Sequence, residues 1–363
     1  MTIDTLLLQE KCKKILDAIG SKKGIVVDTL ELEVANDSLY MNVTDKEYFV
    51  SVKLPIENQE EFHAVVNAQL FLSLITKMTS KTTTLKTSDS VLYVKGNGNY
   101  KLPLIYDGGS LVELPRIVIN HVTSEFNIKN SILQSILKYN SKILYTSGCN
   151  FQVFYVDNLG AITVSRSACL NSFELPEQVS LILSEKLVKL FKLFKSEDIK
   201  FTMGFDARQD GVTQQKVTFF DGDVMLNAIL TTDAQILSKF PAAALRKRAD
   251  MVAPYSAVID KESLIAAIDR LALFKDNLEH SIIMKFTSDE ITLSDSHQVS
   301  DEMIQYVNTC PAIPEEGYTA KFNVDDLQLI LDMCEDQYLT VSFGDRALSI
   351  SRDGIKYMLP ECK

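Results

Sequence analysis

One order of elements repeats three times along this chain, and that repetition restricts the fold more than any single motif does. A first helix is expected over residues 4–19, where Leu8, Cys12, Ile15, Leu16 and Ile19 share one side at helical spacing and Gly20 can end the turn. Alternating strands follow over 34–54 and close at Leu54-Pro55. A second helix, 67–79, carries Leu70, Phe71, Leu74, Ile75 and Met78 as its apolar stripe, and strand-like sequence runs on over 82–106. The order restarts near His121, with a helix at 130–139, strands over 161–173, Leu175-Pro176, a helix at 184–195 and strands up to Thr231. A third round opens near Pro254, with a helix at 261–275, strands over 281–309, Ile313-Pro314, a helix at 325–334 and strands to Leu359-Pro360.

The separation of these rounds is about one domain length, which places domains at 1–120, 121–250 and 251–363. A chain of 363 residues with 46% apolar side chains can supply two or three cores. Each helix has one apolar side and must rest on a sheet, and the alternating strands suggest antiparallel pairing, so the expected class is α+β with two helices per domain. Joined in an arc with the helices inward, three such domains would present a helical wall. The hydroxyl of Ser184 can receive an amide at its helix start, Asp260 or Ser256 can open the third round's first helix, and Asp325 its second.

Charge decides what such a wall could face. The net charge of -11, from 48 acids and 37 bases, argues against a protein that coats nucleic acid, but a ring needs positive potential only on its inner surface. The most basic helical segment is 184–195. Leu187, Leu190, Phe191 and Phe194 fall on one side, and Lys186, Lys189, Lys192 and Lys195 spread over the other. Lys11 and Lys14, Lys77, Lys138 and Lys142, and Arg270 add bases on other helices, while Asp325, Asp326 and Asp332 make the last helix acidic. Lysines opposite an apolar stripe are also what an ordinary solvated helix carries. No cluster of Asn, Gln and Arg suited to base edges is present, so any contact with duplex DNA would be to the backbone and blind to sequence.

Signals for catalysis are weak. The four histidines show no metal-ligand spacing, and neither a phosphate-binding loop nor a nucleophile elbow occurs. Asp295-Ser296-His297 has the letters of a triad without its geometry, and Gly96-Asn97-Gly98-Asn99 reads as a hairpin turn. The six cysteines form no C-x-x-C pair, so no zinc site, disulfide framework or cofactor is expected. No apolar run is long enough to cross a membrane and the start lacks a secretion profile, which points to the cytoplasm.

Over essentially the whole chain, short segments in the proper order resemble the bacterial sliding clamp, the beta subunit of DNA polymerase III. Leu237-Ser238-Lys239-Phe240-Pro241 is similar to that family's Gly-Arg-Phe-Pro segment, with Arg246-Lys247-Arg248 just beyond it. Phe322-Asn323-Val324 resembles the stretch that opens the family's last helix, and Tyr357-Met358-Leu359-Pro360 its ending. The divergence suits a phage or mobile-element version as well as a chromosomal one.

The resemblance implies a non-enzymatic processivity factor: a ring-forming homodimer around double-stranded DNA, in a bacterial cytoplasm, nucleoid or phage-infected cell. A clamp loader would load it, and it would tether a replicative polymerase through short peptide motifs. It implies a partner-peptide cleft with contributions from Pro241, Arg246, Met358, Leu359 and Pro360, and a dimer seam with Leu271, Leu273 and Phe274 beside Lys275. The family's Asp-Gly-His-Arg-Leu is met here only by Asp157-Asn158-Leu159-Gly160-Ala161, without the His-Arg pair, which changes one wall of that cleft. The rival expectation is a clamp-like scaffold that binds partners without encircling DNA.

Overall fold

The structure is a computed structural model of the protein and describes residues 1–19, 24, 26–57, 62–144, 153–207, 213–230, 239–274 and 280–362. Its first round is strand Thr2–Asp4, helix Thr5–Ala18, strands Thr29–Ala35, Ser38–Thr44, Tyr48–Pro55 and His63–Asn67, helix Ala68–Thr76, and strands Thr82–Ser88, Val91–Lys95 and Asn99–Pro103. The second begins with strand Val122–Lys129 and a helical stretch that is regular over Asn130–Ser135, widens over Ile136–Asn140 and closes with Ser141–Leu144. Strands Phe154–Asp157, Gly160–Val164, Ala168–Ser172 and Ser180–Leu183 follow. A helical segment of Glu185–Lys189 and a tighter Leu190–Leu193 then leads to strands Asp198–Ala207, Thr213–Phe220 and Val224–Ile229. The third round is strand Tyr255–Asp260, helix Lys261–Leu271, strands Ser281–Phe286, Glu290–Asp295, Asp301–Gln305 and Tyr318–Asn323, helix Val324–Met333, and strands Tyr338–Gly344, Ala347–Arg352 and Ile355–Pro360.

The repetition extends to single hydrogen bonds. In every round the first strand pairs antiparallel with the strand after the second helix. The amide that opens the first helix donates to the carbonyl just before that later strand: Thr5 to Lys81 at 3.1 Å, Asn130 to Glu197 at 2.8 Å, Lys261 to Gln337 at 2.8 Å. Helix starts leave amides without intrahelical acceptors, and the same solution is used three times. Side-chain caps supply others. Asp4 accepts from Leu6 and Leu7, Asn67 from Leu70, Asp260 from Ser263 and Asn323 from Asp326. The last cap corrects the expectation of Asp325, which lies inside the first turn of its helix.

The chain forms two compact units, one of Met1–Gln134 with Lys186–Thr232 and one of Ser135–Glu185 with Asp233–Lys363. In the first, an eight-stranded antiparallel sheet draws half its strands from each of two rounds, joined where Val224–Ile229 pairs with Tyr48–Pro55, Val224 opposite Val52 and Leu226 opposite Val50. Helix Thr5–Ala18 packs on Ser38–Thr44, Tyr48–Pro55 and helix Ala68–Thr76, burying Leu8, Cys12, Ile15 and Ala18. In the second unit an eight-stranded sheet is joined where Ala168–Ser172 pairs with Ile355–Pro360, Ala168 opposite Met358. Its main core includes Ile268, Phe286, Leu293, Phe322 and Phe343, with the Phe286 and Phe343 rings stacked at 4.0 Å. Each fully buried side chain of this size contributes about 1.5–3 kcal/mol.

The helix expected over 184–195 ends at Leu193, and Phe194 is already extended. Leu187, Val188, Leu190, Phe191, Leu193 and Phe194 are all buried, a wider apolar set than one stripe of an α-helix can hold. Tightening to three residues per turn over Leu190–Leu193 stacks Leu190 over Leu193. A helix at Ala242–Asp250, which the periodicity did not announce, precedes the third round.

Candidate functional site

Alternation along Ile355–Pro360 sorts the expected cleft residues. Met358 joins Ile162, Ala168, Leu170, Phe240 and Ala242 in a small cluster on one face of the second unit's sheet. Leu359 points to the opposite face and is buried in the main core, because neighbouring residues of a strand face opposite sides. Pro360 is exposed where the strand ends. Pro241 sets the turn into helix Ala242–Asp250, and its carbonyl accepts the Leu245 amide at 2.9 Å. Phe240 stacks on Tyr155 with ring centres 4.9 Å apart. The structure therefore gathers Pro241, Arg246 and Met358 around one face and leaves Leu359 out.

Arg246 fixes that helix to the sheet. Its guanidinium donates two hydrogen bonds of 2.6 Å to the Asp157 carboxylate in the fork geometry that suits this pair. Asp157 also accepts the Leu159 amide at 2.9 Å, so one carboxylate holds both the helix and the hairpin turn. Gly160, at the other side of the turn, has φ +134 and lies so close to Asn171 that a Cβ would sit 2.1 Å from its carbonyl oxygen. An open cleft of about 540 Å³ lies beside these elements, with Leu159, Ile162, Leu170, Phe173, Arg246 and Lys356 in its lining. Lys356 donates to the Ala249 carbonyl. Glu174 and Asp250 also line the cleft, so an apolar floor with a rim of mixed charge is offered to a short peptide that inserts an apolar side chain.

The expected DNA-facing bases are scattered over both units. In the first, Lys11 is buried, its ammonium 2.5 Å from Asp223. It stands three residues from Leu8 and four from Ile15, on the flank of the apolar stripe, and is not available to a phosphate. Lys186 reaches Asp45 at 3.4 Å and Glu47 at 3.3 Å, and Lys192 reaches Asp17 at 2.8 Å. Lys77, Lys189 and Lys195 are exposed and Lys14 is half-buried. In the second unit Lys142 is exposed, Lys138 pairs with Glu335, and Arg270 donates to Glu302, one bond being 2.6 Å. The exposed side of helix Lys261–Leu271 carries Glu262 and Asp269, and that of Val324–Met333 carries Asp325 and Asp332. The bases thus concentrate in the second round.

Of the seam candidates, Leu271 is buried in its own core and Leu273 is 81% exposed. The side chain of Phe274 and all of Lys275 lie outside the described residues, as do Leu237, Ser238 and Cys149. Tyr100, Leu70 and Met303 are further exposed apolar side chains, Met303 on an edge strand. The sequence had signalled none of the three as seam residues. Among the described residues no group of three or more His, Cys, Asp or Glu could hold a metal ion, and no helix is long and apolar enough to cross a membrane.

Comparison with known proteins supports the resemblance. Residues 1–108 match the family DNA polymerase III beta subunit, N-terminal domain. No curated relative matches in sequence. Over its full length the chain has the fold of the DNA polymerase III subunit beta of Pseudomonas aeruginosa, with a TM-score of 0.82 and 15% identity, covering 99% of that chain. The beta subunit of Thermotoga maritima gives a TM-score of 0.78 at 17% identity, and the sliding clamp of Bacillus subtilis 0.76 at 15%, each with 100% of this chain and 98% of the other covered.

Proposed function

We propose that this chain is half of a sliding clamp: three domains, 1–120, 121–250 and 251–363, that pair with a second copy to encircle duplex DNA and tether a replicative polymerase in the bacterial cytoplasm. Its role is mechanical, not enzymatic. One observation carries the reading. Twice within the chain, the last strand of one round pairs with the third strand of the neighbouring round's four-strand set, Val224–Ile229 on Tyr48–Pro55 and Ile355–Pro360 on Ala168–Ser172. The two strands that would make a third such joint, Asn99–Pro103 and Asp301–Gln305, are both left at sheet edges.

An edge strand offers unpaired amides and carbonyls to another chain. Joining Asn99–Pro103 of one copy to Asp301–Gln305 of another would repeat the internal joint, and two-fold symmetry would make it twice and close the ring. Exposed Tyr100, Leu70, Leu273 and Met303 supply apolar surface for that seam. Leu271, occupied in its own core, does not.

Around the hole, Lys14, Lys77, Lys138, Lys142, Lys186, Lys189, Lys192, Lys195 and Arg270 would meet the DNA backbone. On the outer face, Pro241, Arg246, Met358 and the cleft beside them would take short peptides of the polymerase and clamp loader. Sedimentation tests the closing step. The wild type should run at twice the chain mass and Met303→Asp at the mass of one chain with an unchanged circular dichroism spectrum. A monomeric wild type at micromolar concentration, or a dimeric Met303→Asp, would count against this seam.

A further inference from the structure

Three of the lysines assigned to the DNA face do not stand free. Lys192 is 2.8 Å from Asp17, Lys186 is 3.3 Å from Glu47, and Lys138 is bonded to Glu335. In every case the lysine belongs to the second round and the acid to a neighbouring one. All six side chains are between 40% and 56% exposed, so each pair lies in water where it is weak and exchangeable. Hydrogen bonding to Lys138 also lowers the Glu335 carboxyl from its ordinary value.

We propose that Asp17, Glu47 and Glu335 are internal counter-ions that compete with phosphate for Lys192, Lys186 and Lys138, and so set how loosely the ring holds DNA. The inference rests on the encircling reading above. A phosphate approaching one of these lysines sheds its own condensed cation and must also displace a carboxylate of the protein. The entropy of cation release that tightens ordinary protein–DNA contacts is still gained at the DNA, but it is offset by leaving a carboxylate unpaired. The outcome is a contact that forms and breaks at little net change, as a sliding ring needs. Asp45, which also faces Lys186, is different. Its carboxylate is buried and accepts the Glu47 and Tyr48 amides at 2.9 and 3.0 Å, so it builds the turn that carries Glu47.

The more ordinary role for these pairs is to staple one round to the next, and the two roles separate experimentally. The dimer with Asp17→Asn, Glu47→Gln and Glu335→Gln in each chain is loaded on nicked circular duplex DNA, and its retention is followed against potassium chloride concentration. Release of the lysines predicts longer retention at low salt and a steeper log–log salt dependence, by about 0.9 for every lysine that gains a phosphate. Adding Lys138→Gln, Lys186→Gln and Lys192→Gln should return the slope to the wild-type value or below. An unchanged slope overturns the proposal, whether the melting temperature falls, as stapling requires, or stays the same. A wild type that is not retained on circles at all overturns the encircling reading itself.

Discussion

Arg246→Met tests the construction of the cleft most sharply, because one residue holds its helix to its hairpin. The Asp157 side chain is 12% exposed and would lose both charge-assisted donors while keeping its charge. Removing one member of a buried pair costs about 3–5 kcal/mol. Arg246 is 22% exposed, so water can reach part of the vacated space, and the expected loss falls to about 2–4 kcal/mol. Adding Asp157→Asn removes the stranded charge and should recover at least half of it. Amide exchange across Ala242–Asp250 reads the effect locally, and urea unfolding reads it for the unit. The single variant should exchange faster over that helix than the wild type, and the double variant should fall between them. A single variant that exchanges like the wild type, or a double variant worse than the single, would refute the account of how this helix is held.

The Asp326 carboxyl is raised above its ordinary value, since desolvation outweighs the nearby Arg166 guanidinium. An acid raised on folding binds more protons folded than unfolded, so its contribution falls as pH rises from the unfolded value through the raised one. The melting temperature of Asp326→Asn relative to wild type should therefore be higher at pH 7 than near pH 4; a difference that does not change with pH would contradict this. Gly160→Ala places a methyl 2.1 Å from the Asn171 carbonyl oxygen at a left-handed φ, so it should lower stability by about 2 kcal/mol or more, read by thermal unfolding. Burial pushes the Cys12 thiol up to about 12 and Cys334 to about 11, and Cys362 is exposed. In a Cys149→Ser background at pH 8, a disulfide reagent should label Cys362 in the native protein while Cys12 and Cys334 react only after unfolding.

Much of the fold was legible because four helices, Thr5–Ala18, Ala68–Thr76, Lys261–Leu271 and Val324–Met333, start at a capping side chain and carry an apolar stripe at period 3.6. Asp4, Asn67 and Asp260 stand one residue before the first helical turn. Asn323 was passed over for Asp325 because acids in a first turn and at a cap look alike in sequence, and only the hydrogen bond to Asp326 separates them. The cleft was partly legible. Strand alternation alone forbids Met358 and Leu359 from lining the same surface, and the helical wheel alone puts Lys11 beside the apolar stripe. Two features carried no local signal. The joints between rounds are pairings of strands more than 100 residues apart, Val224 with Val52 and Ala168 with Met358. The carboxylates facing Lys138, Lys186 and Lys192 come from other rounds, so spacing within a helix could not disclose them.

A ring that encircles DNA is linked to it topologically, and retention on closed versus open DNA tests that linkage most directly. Protein loaded on a nicked circle should remain bound through gel filtration at moderate salt and be lost once a restriction enzyme linearises the circle, with no change in sequence or ionic strength. Equal retention before and after cutting, or none on the circle, would contradict it.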